Sequence, residues 1–355
     1  MESNITTLYT WITNLFNSEL PAIIAVVTLP LVFVILYALL AILGELKISA
    51  FIQERLGPMR TGPWGIFQPI AEVVKLLQKE DITPDAANKP LYNLAPYLMF
   101  AASYAGFAVI PFCANYAPSG INLGLFYIFA VGSLGVIGLV MGGWASNNKY
   151  SLLGAMRSVA QIISYEIPGA ITILSVVVLA NSMDMQVITA KQAGWFWNWN
   201  LFGGAGGWGK LGIFPFTAIL AIVYLISSLA ETNRTPFDIP EGESELVAGY
   251  HTEYSGMKFA MFFFAEYANM FIVAAVLAVM FFGGWNSPFG NFMSGPIWGV
   301  FWFIGKSFFF VFLQIWLRWT LPRLRVDQLM TVSWKYLVPI SLVCFFAVGI
   351  WILVQ

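Results

Sequence analysis

The chain has 355 residues, of which 59% are hydrophobic, 17% aromatic and only 10% charged, with a formal net charge of -1 and a mean hydropathy of +0.76. Soluble domains carry about 25% charged residues, so this composition excludes a soluble exterior and points to an all-α polytopic membrane protein. There is no basic excess for nucleic acid. Two cysteines, Cys113 and Cys344, and one histidine, His251, exclude a disulfide scaffold, a zinc site, a cysteine-ligated cluster and bis-histidine haem, and no metal site is expected.

A spanning helix needs about 20 mostly apolar residues. Residues 20–44 form a first span, too long and lacking the basic start of a cleavable signal. The uncharged stretch 90–148 is broken near Pro111, Asn115, Pro118 and Gly120, giving spans near 91–114 and 122–145. Five more follow near 155–181, 211–231, 258–283, 296–321 and 335–354. Eight spans in a single integral membrane domain, 1–355, place both termini on one side. Of the 17 basic residues, 14 fall in or beside the four odd-numbered loops. Those loops are therefore expected to be cytoplasmic and the termini external. Between the first two spans, residues 64–80 space Ile66, Ile70, Val73, Val74 and Leu77 as one helical face. An amphipathic helix at the membrane interface or a surface helix of a loop would read the same way. The external loop 182–210 carries Trp195, Trp197 and Trp199, for which an interfacial belt is the expectation.

Charge inside the spans is informative because each ion there costs roughly 2.5–3.5 kcal/mol on insertion scales. Glu166, Glu231, Glu266 and Lys306 occupy four different spans. They read either as stations of a proton or ion path or as buried pairs and helix caps. The loop after the fifth span holds Glu231, Asp238, Glu241, Glu243 and Glu245 against a single Arg234, with Pro236 and Pro240 stiffening it. Crowded carboxylates titrate upward toward neutrality, so a proton-exchanging cluster is one reading and a solvated acidic loop the other. The first loop, with Glu45, Lys47, Arg55 and Arg60 among Gly–Pro pairs, offers polar groups beside an apolar entrance. That would suit a lipophilic ligand with a polar head, or lipid headgroups.

Four long segments then carry a resemblance: AETNRTPFDIPEGESELVAGYHTEYSG (230–256), RLGPMRTGPWGIFQPIAEVVKLLQKE (55–80), SLLGAMRSVAQIISYEIP (151–168) and LRWTLPRLRVDQLM (317–330). In order and over nearly the whole chain, they resemble the membrane-arm H-subunit, the mitochondrial subunit 1 family, of respiratory complex I, the proton-translocating NADH:quinone oxidoreductase. The resemblance implies a subunit of a multisubunit enzyme that forms the entrance and part of the chamber for a quinone, ubiquinone or menaquinone. FMN and iron–sulfur clusters would lie in partner subunits alone. By position, Glu166, Glu231, Asp238, Glu241, Glu243, Glu245, Glu253 and Glu266 become candidates for the proton path. Glu45, Arg55, Arg60, Glu72, Lys75, Arg234 and Phe237 become candidates for the quinone entrance, with Glu80 beside them.

Arg318, Arg323, Arg325 and Asp327 match a last loop that contacts peripheral partners. Those partners would be the quinone-site and iron–sulfur subunits and the neighbouring small membrane subunits. The implied location is a bacterial inner membrane rather than a mitochondrial one. Leu46 stands where the family usually has arginine after Glu45, which weakens a charge pair at 45–46. Rival readings are the related anchor of a proton-pumping membrane-bound hydrogenase, a stand-alone transporter, and a purely structural anchor.

Overall fold

The computed structural model describes residues 13–14, 19–114, 120–204, 212–240, 242–290 and 292–354. Among them there is no strand, only an isolated bridge between Trp195 and Phe289. The helices are α1 (Glu19–Ile52), α2 (Gln68–Gln78), α3 (Lys89–Gly106), α4 (Gly124–Ala145), α5 (Lys149–Ala180), α6 (Met185–Lys191), α7 (Phe214–Glu231), α8 (Gly256–Phe281), α9 (Pro296–Thr320) and α10 (Val326–Val354). Seven of them, α1, α4, α5, α7, α8, α9 and α10, are long and apolar enough to cross a membrane. The expected span near 91–114 is α3, which stops at Gly106 and passes into a 3-10 turn over Phe107–Val109. Lys89, Asn93 and three tyrosines make it less apolar than the others.

The outward faces are apolar. Leu36 and Leu40 of α1, Phe126 and Ile137 of α4, Phe301 and Phe309 of α9 and Phe346 and Ile350 of α10 are all exposed. Water would penalise such a surface, whereas hydrocarbon does not. The protein is a multi-pass membrane protein. The middle of the bundle is α8, buried almost continuously from Ala265 to Phe281. From Met270 to Phe281 its sequence is apolar all round, as a helix with neighbours on every side must be. Phe271 of α8 packs edge-on to Phe33 and stacks on Phe107, with ring centroids 5.0 and 5.7 Å apart.

Proline inside a helix removes a donor and leaves the carbonyl four residues back without its partner. In hydrocarbon such a group has to be satisfied by another part of the protein. Pro96 of α3 frees the Tyr92 carbonyl, and the Tyr254 hydroxyl donates to it at 3.2 Å. Pro168 of α5 frees the Ser164 carbonyl, and the Ser333 hydroxyl donates to it at 2.6 Å. Ser333 reaches that carbonyl from a π-helical turn, Val332–Leu337, which keeps α10 continuous. The last span therefore begins at Val326, not near 335.

Two other boundaries move. α1 runs on to Ile52, so Glu45 and Lys47 lie in the helix and not in the first loop. The stretch expected to be one helix over 64–80 starts as a 3-10 turn, Pro63–Gly65, and only then becomes α2. Gly65 is required there: its φ is 75°, and a Cβ would sit 2.1 Å from the Pro58 carbonyl oxygen. α2 turns Ile70, Val74 and Leu77 outward and keeps Val73 and Leu76 half-buried.

Candidate functional site

One end of the bundle gathers the C-termini of α1, α7 and α9, the N-termini of α5, α8 and α10, and the 232–255 segment. The segment is held by close backbone approach. Gly154 of α5 would place a Cβ 2.7 Å from the Gly249 Cα, so only glycine lets this turn lie on the helix. Ser151 donates to the Tyr250 carbonyl at 3.3 Å, and Gln161 donates to the Ala230 carbonyl at 2.8 Å and to Asn233 Oδ1 at 3.2 Å.

A buried charged node results. Glu45, Arg234, Glu266 and His251 are 8%, 3%, 3% and 4% exposed. Arg234 lies between the two carboxylates, 3.8 Å from Glu45 Oε2 and 3.9 Å from Glu266 Oε2, with its guanidinium 4.6 Å from the centre of the Tyr267 ring. Arg318 of α9 pairs with Glu45 Oε1, and Tyr267 donates to Glu45 Oε2 at 2.6 Å. On the other flank, Tyr250 donates to Glu266 Oε1 at 2.5 Å, and His251 Nε2 lies 3.6 Å from the same oxygen. Among the described residues, two carboxylates face two guanidinium groups. Buried ions persist only under such compensation.

Glu266 also faces the second half of the site. A cavity of about 100 Å³ is lined by apolar residues of α3, α4 and α5 together with Glu166, Glu231, Glu266, Tyr224, Asn233 and Asn269. Three of the expected path carboxylates thus share one space. Glu231 Oε1 is buried without a hydrogen-bond partner and lies against α5 where Gly169 would place a Cβ 3.3 Å away. A larger residue at 169 would press on that oxygen.

The remaining candidates are not brought to this centre. Glu245 is exposed on the rim and accepts from Arg157 Nη1 at 2.6 Å. That hydrogen bond and the guanidinium charge, helped by Arg323 and Arg325, hold its carboxyl below the usual range. This is the reverse of the upward shift expected from crowded carboxylates. Glu253 accepts from Asn148 Nδ2 at 2.6 Å, and Asn148 caps α5 through Tyr150 N–H at 2.8 Å. A carboxylate beside a helix N-terminus is favourable, so Glu253 fastens the 249–255 turn to α5. Asp238 is half-buried. Phe237, a candidate for the quinone entrance, is buried with its ring 5.1 Å from the Tyr165 ring. Glu241 and the side chain of Glu243 lie outside the described residues.

Arg55, Arg60 and Lys75 are exposed along the loop and helix after α1, and Glu72 is half-buried with Gln68 Nε2 at 3.4 Å. Lys47 donates to the Pro58 carbonyl at 2.7 Å and braces this loop.

Of the two readings open for Lys306, path station or helix cap, the structure favours the second: it sits at the opposite end of the bundle from the carboxylates. There it donates to the carbonyls of Phe282, Gly284 and Asn286 at 2.7, 3.0 and 2.6 Å, with Trp199 4.3 Å away. It caps the C-terminus of α8. Trp199 accordingly has a packing role beyond an interfacial belt. Gln192 ties the segment after α6 to α8, donating to the Val279 carbonyl at 2.8 Å and accepting from Gly283 N–H at 3.1 Å. Arg318, matched by resemblance to a partner-contacting loop, turns inward to Glu45. The cationic partners of Glu45 come from α9 and the 232–255 segment, not from position 46. Sequence reasoning missed Tyr250, His251 and Tyr267 as members of the node. The pair Glu266–Tyr267 in an otherwise apolar helix, and the lone histidine beside Tyr250, were the available signal.

The chain resembles curated proteins along almost its whole length. It is 52% identical over 342 residues to the NADH-quinone oxidoreductase H-subunit of Chlorobaculum parvum, covering 93% of this chain and 92% of that one. It is 47% identical over 348 residues to the H-subunit of Bacteroides fragilis, covering 94% and 93%. It is 45% identical over 359 residues to the H-subunit numbered 2 of Cytophaga hutchinsonii, covering 92% and 98%. The NADH dehydrogenase family model matches residues 24–349. With that match and these identities, the chain belongs to the NADH dehydrogenase family as a complex I H-subunit, a membrane component of a multisubunit NADH-quinone oxidoreductase.

Proposed function

We propose that the chain forms the membrane-side entrance and part of the chamber for a quinone, and couples its reduction to proton translocation through buried carboxylates. The single observation supporting this most is the shared cavity of Glu166, Glu231 and Glu266, joined through Glu266 to the Arg234–Glu45 node. An isoprenoid tail gains about 0.8 kcal/mol per methylene buried, while α2 and the exposed Arg55, Arg60 and Lys75 lie where a polar head would pass. Electrons come from the FMN and iron–sulfur clusters of partner subunits.

Reduction of the head leaves negative charge beside the 232–255 segment. That charge favours protonation of nearby carboxylates, Glu266 first and then Glu231 and Glu166. Asp238, Glu241, Glu243, Glu245 and Glu253 form the rim of this path. In this reading α3 completes eight crossings, the basic odd-numbered loops face the cytoplasm, and both termini lie on the external side of a bacterial inner membrane. The quinone-site and iron–sulfur subunits dock on the cytoplasmic side, and small membrane subunits pack alongside.

The test is Glu231→Gln and Glu166→Gln in the assembled complex. Coupled NADH:quinone turnover and proton uptake by inverted vesicles should fall while the complex still assembles. Unchanged coupled turnover would overturn the path.

A further inference from the structure

We propose that His251 is the proton-exchange partner of Glu266, the group through which protons enter and leave the carboxylate path. The proposal rests on the reading of Glu166, Glu231 and Glu266 as that path. His251 is the chain's one histidine, and it is buried at the junction between the charged node and the cavity. Its ring is fixed on three sides by aromatic side chains: the Tyr250 ring centre is 3.8 Å away, and those of Phe259 and Phe262 are each 5.5 Å away. Nε2 lies 3.6 Å from Glu266 Oε1, about 0.6 Å beyond an ordinary hydrogen bond.

The surroundings suit a group that changes charge. From α8 the ring faces the Glu266 carboxylate. Arg234 stands behind that carboxylate, and the Tyr250 hydroxyl donates to it. α5 brings Ser151, which is bonded to the Tyr250 carbonyl, and Arg157, which is turned away to Glu245. α4 brings no charged side chain. Uptake of a proton at His251 makes the node net positive beside an ionised Glu266. Transfer of that proton from Nε2 to Glu266 Oε1 removes one positive and one negative charge together. A neutral imidazole and a protonated carboxyl then face the cavity that Glu231 and Glu166 line. Imidazole is the side chain whose ordinary titration, near about 6.5, spans physiological pH, whereas none of the other groups in the node does.

His251→Asn and His251→Gln keep polarity and approximate size but cannot carry the proton. In the assembled complex, both should slow coupled NADH:quinone turnover roughly tenfold. Both should also remove the histidine-dependent limb from its pH profile. Wild-type turnover and pH profile in either variant would overturn the proposal. So would failure of both variants to assemble, since the ring would then be a packing element. Glu231→Gln run in parallel separates the two ideas. If Glu231→Gln loses coupling and His251→Asn does not, the path stands and His251 is outside it. If neither loses coupling, the path itself fails.

Discussion

The Ser333 hydroxyl donates across to the Ser164 carbonyl at 2.6 Å, the carbonyl that Pro168 leaves without a helical donor. Proline two residues after Glu166 opens the α5 ladder next to the cavity, and the π turn of α10 closes it. The Trp334 indole N–H adds a 3.3 Å bond to Ser164 Oγ. A π turn is a costly conformation that is retained where it positions something. Here it positions the donor for the Ser164 carbonyl.

Ser333→Ala should therefore destabilise the bundle by about 1–3 kcal/mol, the cost of an orphaned buried acceptor. Thermal unfolding of the purified complex would report it as a lowered midpoint of this subunit's transition. Pro168→Ala restores the helical donor, so in that background Ser333→Ala should cost clearly less. Equal costs in the two backgrounds would refute the coupling.

Glu45 and Arg318 are 273 positions apart and form a buried pair, with Arg234 and Tyr267 on the other carboxylate oxygen. Removing one partner leaves an uncompensated buried charge, which costs about 3–5 kcal/mol. Arg318→Gln should thus abolish or strongly reduce assembly, read as subunit retained in the membrane. Glu45→Gln in the same chain should recover part of it, because the remaining Arg234 still has Glu266. Normal assembly of Arg318→Gln alone would show that solvent reaches the pair.

Much of the fold was legible in the sequence, and the reason is physical. Uninterrupted apolar length is a strong signal, so the runs that became α1, α4, α8 and α9 were recognisable from residues alone. Breaks are harder to read. Pro96 and Pro168 sit inside helices because distant hydroxyls complete their ladders, and nothing local announces that Tyr254 or Ser333 will arrive. The same limit applied to the site. Glu166, Glu231 and Glu266 stood out as charges in apolar runs, and they share a cavity. Lys306 stood out by the same rule yet caps a helix end, because charge scarcity marks a cost and not which benefit offsets it. Crowding in sequence misled at Glu245: an arginine 88 positions away on α5 decides its charge state.

That pairing makes a pH prediction. Glu245 titrates low because Arg157 favours its ionised form. A carboxyl depressed in the folded state contributes stability above its unfolded pKa, and loses it as pH falls through the folded value. The bridge should be intact throughout the neutral range and open only in acid, below the ordinary glutamate value of about 4.3. In Arg157→Gln the Glu245 carboxyl should titrate higher, detectable by isotope-edited infrared spectroscopy of the carboxylate stretch. Because the pair is exposed, overall stability should change little. An unchanged titration would mean that the bridge does not persist in solution.

Gly169 provides a probe of Glu231 that leaves every charge in place. A Cβ at 169 would lie 3.3 Å from Glu231 Oε1 and 3.7 Å from the Ser227 Cβ, close enough to push the carboxylate without breaking α5. Alanine is also the better helix former by roughly 0.5–1 kcal/mol, so Gly169→Ala should assemble normally. If Glu231 works by its position in the cavity, coupled turnover should fall, with the defect resembling that of Glu231→Gln.

Lys306→Met supplies the contrasting case. It removes the donor to three carbonyls at the far end of α8, where no path carboxylate lies, and each unsatisfied carbonyl costs about 1–3 kcal/mol. The variant should lower thermal stability and subunit yield, while the molecules that do assemble pump with the ordinary ratio of protons to electrons. A pumping defect at full stability would return Lys306 to the path. A loss of stability alone would leave it as the clasp that joins the 282–286 turn to α9.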